Sequence, residues 1–202
     1  MKKFLAASAL ASLAIVSAIP AAHAGKADDN LNIVWERELE NVDFYFNTAR
    51  EGIIFQRLTW DALLWRDPKT MEYKPLIAKS YKWANDTTLE FVLNEGITFH
   101  NGEELDADDV VYTINWVANP DNGVKTQSNV NWIKNAEKVD KYKVLVHLKK
   151  PFPAALEFVS GTLPIYPQDY YSKVGPDGMG QKPVGSGPYK VVELEPGKKI
   201  VW

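Results

Sequence analysis

Acidic residues at period two, Glu36, Glu38 and Glu40, are the first group along the chain whose type and spacing suit chemistry. Two carboxyl groups flanking a bond can serve as proton donor and acceptor. The same spacing also describes one solvated face of an extended strand, where alternate side chains share a side. A second acidic group, Asp106, Asp108 and Asp109, offers oxygen ligands for a hard cation. It lacks the twelve-residue calcium loop with its central Gly and terminal Glu, and its place just before an apolar-periodic run suits a helix start better. Of the histidines, His23 lies near the amino terminus, and His100 and His147 are far apart in sequence and read as strand or turn residues. There is no cysteine, which removes thiolate nucleophiles, disulfides, Cys-ligated zinc and iron–sulfur clusters together. Gly185-Ser186-Gly187 and the glycines from Gly175 to Gly180 carry neither the Lys-Ser/Thr of a phosphate loop nor a nucleophile elbow, so they read as turns. No residue set here supports catalysis, and none calls for a metal or cofactor.

Aromatic residues are the remaining candidates. Seven tryptophans are spread along the chain, and core packing accounts for most of them. Trp132 stands apart because it ends a polar loop, where an aromatic ring can form a binding surface. The composition, 46% hydrophobic and 24% charged over 202 residues, is that of a globular chain of one ordinary domain. A formal charge of -3 with no basic block leaves a nucleic-acid partner without an electrostatic footprint.

The elements that must hold these residues begin after an address. Lys2 and Lys3, an apolar run from Phe4 to Ile19 and the small-residue site Ala22-His23-Ala24 form the three parts of a secretory signal peptide, residues 1–24. The run is shorter than the roughly 20 apolar residues that span a bilayer. No Cys follows the cleavage site, so a lipid anchor is not expected, and a freely diffusing protein of a Gram-negative periplasm fits. A strand is expected over Leu31 to Trp35 and an amphipathic helix over Ala49 to Ala62, with Ile54, Leu58 and Ala62 on its apolar face. Hairpins follow at Leu63 to Tyr73, turning on Asp67-Pro68-Lys69, and at Tyr81 to Leu93, turning on Asn85-Asp86. Asp106 starts a helix whose face carries Val110, Val111, Ile114, Val117 and Ala118 and which Asn119-Pro120 stops. A strand pair around Val144, Val146 and Leu148 comes next, then a short helix at Pro153 to Val159, a strand at Thr162 to Tyr166 and a helix at Gln168 to Lys173. Gly175 to Gly187 reads as turns, and a hairpin about Pro196-Gly197 ends the chain. The fold class is mixed α/β, of the α+β kind.

Three stretches carry a resemblance. They are the Trp83-to-Leu93 hairpin running into Gly96-Ile97-Thr98-Phe99-His100-Asn101-Gly102-Glu103, the helix start from Leu105 to Tyr112, and Pro183-Val184-Gly185-Ser186-Gly187-Pro188-Tyr189-Lys190. In this order they resemble the extracellular solute-binding proteins of peptide- and nickel-type ABC importers, with Ser186 where the family usually has Thr. The resemblance runs from about Leu31 to Trp202. It implies a periplasmic-binding-protein-like fold of type II, peptide-binder class, in which residues 25–202 make an incomplete amino-terminal lobe and a second lobe is absent. It also implies capture of a small peptide or similar solute, delivery to permease subunits in the inner membrane, and action as a monomer without a cofactor. The segments that resemble cleft-facing ones are Glu36 to Asn41 and Asn129 to Trp132, which makes Glu38, Glu40, Asn131 and Trp132 the expected ligand-binding residues. Two other classes stay open: a periplasmic hydrolase using Glu38 or Glu40 as base, and a chaperone-like module that holds unfolded chains on the lobe face.

Overall fold

The computed structural model describes Val34, Leu39 and residues 41–202. The leader, nearly all of the strand expected over Leu31 to Trp35, and Glu36, Glu38 and Glu40 lie outside the described residues.

Helix α1, Arg50–Thr59, falls inside the expected span, but it buries a different face. Glu51, Gly52, Phe55, Gln56 and Thr59 turn inward, whereas Ile53 and Ile54 are 45% and 46% exposed. The Phe55 ring supplies the reason: it packs 5.5 Å from both Trp60 and Trp202. Gly52 lies on the same side and lets the Asn47 side chain come close. Aromatic area outweighs the two aliphatic side chains in setting the rotation of so short a helix. Strands β1, Leu64–Arg66, and β2, Tyr73–Pro75, pair antiparallel around a loop held by Asp67, whose Oδ1 accepts from the backbone of Lys69 and Thr70.

The central sheet joins β3, Ala78–Asn85, β4, Thr88–Leu93, β5, Ile133–Asp140, and β6, Lys143–Leu148, in the order β3-β4-β6-β5, every pair antiparallel. Leu89, Phe91 and Leu93 of β4 and Val144, Val146 and Leu148 of β6 point to one face and are buried, as their period-two alternation requires. Helix α2, Ala107–Ala118, lies on this face through Val110, Ile114 and Val117, all 0% exposed. Full burial of each such side chain contributes roughly 1.5–3 kcal/mol. Asp106 caps the helix by accepting from Asp108 N at 2.8 Å, and Asp109 reaches back to accept from Asp106 N at 3.0 Å. The acidic run therefore serves as a capping box.

Helix α3, Ala155–Val159, matches the expected short helix. The strand expected over Thr162 to Tyr166 reduces to one bridge, Ala62 with Pro164. Pro164 has no N–H to give, and the N–H of Tyr166 is taken by Thr113 Oγ1 at 3.0 Å, so no ladder extends. Helix α4, Gln168–Gln181, runs further than expected and takes in the first residues of the glycine stretch. It consists of two helical pieces broken at Gly175, whose φ of 63° and ψ of -168° are not helical, and Pro176 restarts the second at the position where its fixed φ is favourable. Strands β7, Glu193–Glu195, and β8, Lys199–Val201, form the final hairpin.

Candidate functional site

Three distant pieces of sequence meet at the carboxyl end of α1. Helix ends leave carbonyl groups without intrahelical donors. Here Gly187 N donates to Thr59 O at 2.9 Å and Tyr189 N to Leu58 O at 2.9 Å, so the Gly185-Ser186-Gly187 loop supplies the missing donors. The approach is too close for any side chain: a Cβ on Gly185 would stand 1.9 Å from Thr59 O, and one on Gly187 2.6 Å from Thr59 C. The Gly-x-Gly spacing is thus dictated by contact with α1. Trp60 Nε1 donates to Val184 O at 2.8 Å and fixes the loop from the other side.

The Phe99-to-Gly102 turn closes on the same loop. Gly102 takes a φ of 91° and its N donates to Phe99 O at 2.9 Å, which projects His100 outward from the turn. His100 N donates to Gly185 O at 2.7 Å, and Nε2 lies 2.9 Å from Gly187 O. A carbonyl only accepts, so Nε2 is the donor of this pair. The last residue, Trp202, reaches the junction too, with Nε1 donating to Thr59 Oγ1 at 3.1 Å.

Two oxygens at this junction are buried without a hydrogen-bond partner, Gln56 Oε1 and Ser186 Oγ, and Thr162 Oγ1 in the segment after α3 is another such atom. Asp61, directly after Trp60, makes no side-chain hydrogen bond among the described residues, and burial alone pushes its carboxyl up to about 6. Buried acceptors without donors are costly in a native protein and mark places where a polar ligand or ordered water completes the set. The Gln56 amide oxygen takes only a donor, such as a ligand N–H, whereas the serine and threonine hydroxyls can either donate or accept.

A second buried group anchors the segment that follows Glu40. Asp43 is 0% exposed, and its carboxylate accepts from Tyr45 N, Tyr166 OH and Tyr171 OH, each at 2.9 Å. Burial raises Asp43 to about 6 against the opposing pull of these donors, and it holds the Tyr45 and Tyr166 phenols well above the usual range. Tyr45 OH in turn donates to Pro164 O at 2.5 Å. This cage ties the chain around residue 43 to the segment that enters α4.

Of the residues expected at the site, Glu38 and Glu40 lie outside the described residues. Asn131 is exposed, and its carbonyl accepts from Lys149 Nζ at 2.9 Å. Trp132 is 5% exposed and packed as a structural residue: it stacks on Phe152 at 5.4 Å and packs against Phe158 at 6.2 Å, while Nε1 donates to Asn129 O at 2.7 Å. None of these partners belongs to the α1 junction. Gln56, Asp61 and Thr162 were not singled out by sequence reasoning, because a lone polar residue in an apolar-periodic segment carries no local signature. Among the described residues no three His, Cys, Asp or Glu side chains gather into a metal-binding group.

The sequence matches the bacterial extracellular solute-binding proteins, family 5 Middle, over residues 72–202, more than half of its length. The chain belongs to this family. Among curated relatives it is 30% identical over 194 residues to the glutathione-binding protein GsiB of Salmonella paratyphi A, an alignment covering 95% of this chain and 37% of the relative. Protein XP55 of Streptomyces lividans is 32% identical over 146 residues, which cover 70% of this chain and 26% of that one. The fold is similar to NikZ of Campylobacter jejuni, solved with Ni(L-His), with a TM-score of 0.72 and 26% identity over 82% of this chain and 33% of that one. It is also similar to AppA, the oligopeptide-binding protein of Bacillus subtilis, solved with a nonapeptide, with a TM-score of 0.71 and 26% identity over 81% of this chain and 34% of that one. The mixed α/β architecture therefore corresponds to part of a type II periplasmic binding protein. Family 5 consists of solute binders and not enzymes, which removes the hydrolase reading of Glu38 and Glu40. The chain spans about a third of the length of the relatives it matches.

Proposed function

We propose that residues 25–202 form one wall of the solute cleft of an ABC importer's extracytoplasmic binding protein, exported to the periplasm by the leader over residues 1–24. The observation that carries this reading is the α1 junction. There two of the stretches that carry the resemblance, the Phe99-to-Gly102 turn and the Gly185-to-Gly187 loop, pack together against α1, and Gln56 and Ser186 leave buried oxygens without partners. A small peptide or a similar nitrogen-bearing solute supplies the donors. Glu38 and Glu40 precede the Asp43 anchor in sequence and serve as acidic contacts on the same wall. Asn131 offers a polar contact backed by the packed Trp132 ring. The family-length protein is a monomer that presents its closed form to permease subunits in the inner membrane.

In a two-lobed binder the ligand draws its binding free energy from both walls. A complete site with a dissociation constant near 1 μM corresponds to about −8 kcal/mol, and half of that leaves about 1 mM. Isothermal titration of the 202-residue protein with glutathione, dipeptides and nickel–histidine is expected to give dissociation constants no tighter than about 1 mM. Low-micromolar binding of any of these would sink the one-wall reading. The mass of the protein in a periplasmic extract tests export: loss of residues 1–24 is expected, and a cytoplasmic, unprocessed chain contradicts it.

A further inference from the structure

A groove lies away from the α1 junction, on the outer face of α2, and has a volume of about 440 Å³. Its floor is a helical stripe. Tyr112 and Trp116 are about one turn apart, which sets their Cα positions about 6 Å apart along the axis, and Val111 lines the groove beside them. Trp116 is held edge-on by Tyr171 at 5.1 Å and by Phe46 at 6.0 Å, so its orientation is fixed by the core behind it. Asn115 is fixed as well, its amide giving to and taking from the backbone of Ala136 at 2.9 and 2.7 Å.

What remains free around this aromatic floor is a mixed set of donors and acceptors. Trp116 Nε1, the Tyr112 hydroxyl and the Gln168 side-chain amide make no hydrogen bond among the described residues. Asn119 accepts from Asp121 N through Oδ1 and keeps its NH₂ free, whereas Asn122 donates to Trp116 O through Nδ2 and keeps its oxygen free. The only charged residue lining the groove is Asp108, and it is already paired with Lys138 Nζ at 2.6 Å.

We infer that this groove is a second binding site, separate from the solute cleft, for an uncharged saccharide. A pyranose ring has an apolar face of C–H groups that lies flat on an aromatic ring, and its hydroxyls each donate once and accept twice. The alternation of free donors and acceptors above Tyr112 and Trp116 matches that inventory. Charge separates the saccharide from the other small ligands of this size. A free peptide or amino acid brings an ammonium and a carboxylate, an anion brings negative charge, and the groove has no unpaired counter-charge for either. The volume falls within the range of small-molecule sites and suits one or two sugar rings.

The test is an NMR titration of the full 202-residue protein that follows the Trp116 indole N–H, identified by its loss in a Trp116→Phe variant. Methyl glucoside, methyl N-acetylglucosaminide and cellobiose are the probes, with glycyl-leucine and glucuronate as charged comparisons. At least one neutral sugar is expected to shift the Trp116 and Gln168 side-chain signals, with a dissociation constant on the order of 1 mM. Gln168→Ala at the rim, and Trp116→Phe, should each weaken that binding by about three- to tenfold. Unmoved Trp116 and Gln168 signals with all three neutral sugars would overturn the inference, as would an unchanged affinity in Gln168→Ala. Stronger binding of glycyl-leucine or glucuronate at these signals would overturn the ligand class. The result is independent of the cleft reading, since no residue of the α1 junction lines this groove.

Discussion

Gly185 and Gly187 stand where α1 ends, and their lack of a side chain is what lets the loop reach Thr59. A Gly185→Ala change drives a Cβ to 1.9 Å from a backbone oxygen that α1 holds in place. Overpacking against backbone is expected to lower stability by about 3 kcal/mol, read as a lower urea midpoint. Gly96 provides the contrast. It has a φ of 78° with nothing near its Cβ position, so Gly96→Ala carries only the backbone term, about 1 kcal/mol. Equal losses at the two positions would contradict the contact account. The same residues show what a sequence discloses at this scale. The Gly-Ser-Gly spacing was visible, whereas Gln56 and Thr162 were invisible, because an unpartnered oxygen is a fact about neighbours. The neighbours of Trp132 were invisible for the same reason: Phe152 and Phe158, which enclose it, are separate in sequence from the loop that precedes it.

Elements with strong local rules were legible in advance. The α2 start at Asp106 and its stop at Asn119 agree with expectation, as do the inward Val110, Ile114 and Val117, although Val111 and Ala118 sit only half-buried at the edge of that face, and the β6 alternation of Val144, Val146 and Leu148 follows from period two. Elements settled by long-range contacts were not. The α1 stripe of Ile54, Leu58 and Ala62 satisfies helical periodicity as well as the true face does, and only the packing of Phe55 between Trp60 and Trp202 decides between them. A pair of variants distinguishes the two faces. Phe55→Ala should cost about 3–5 kcal/mol in chemical unfolding, and Ile54→Ser should stay within about 0.5 kcal/mol. Similar losses for both would restore the apolar-stripe reading. The short strand expected at Thr162 to Tyr166 failed because Pro164 breaks the ladder. The α4 extension was missed because Gly175 and Pro176 look like a terminator while in fact they restart the helix.

Among the described residues, three carboxyls raised by desolvation set the response to acid at the scale of the molecule. Asp43, Asp61 and Asp109 are each lifted to about 6, desolvation being the largest cause every time. In the unfolded chain an aspartate titrates near 3.9, approximately. Between those values the folded protein keeps protons that the unfolded chain has released. The stability these groups contribute is therefore fully present below the unfolded value and lost as pH rises through about 6. The lowered carboxyls Asp67 and Glu104 act in the opposite sense, below their ordinary values of 3.8 and 4.5. Urea midpoints are thus expected to be higher at pH 5 than at pH 7, and the difference should shrink in an Asp61→Asn variant. A midpoint that falls on acidification to pH 5 would refute this.

The junction at α1 also orders events in time. Trp60 and Val184 are 124 positions apart, and Thr59 and Trp202 are 143 apart. As the chain emerges from a ribosome or a membrane pore, α1 is made first and its last carbonyls wait for partners that arrive much later in the sequence. Loop closure over that distance is slow, and until it happens Phe55 and Trp60 lie open to proteases and to sticky neighbours. A holding factor that covers this helix during synthesis would shorten that exposure, and a sequence interrupted before residue 184 would leave the helix permanently uncapped.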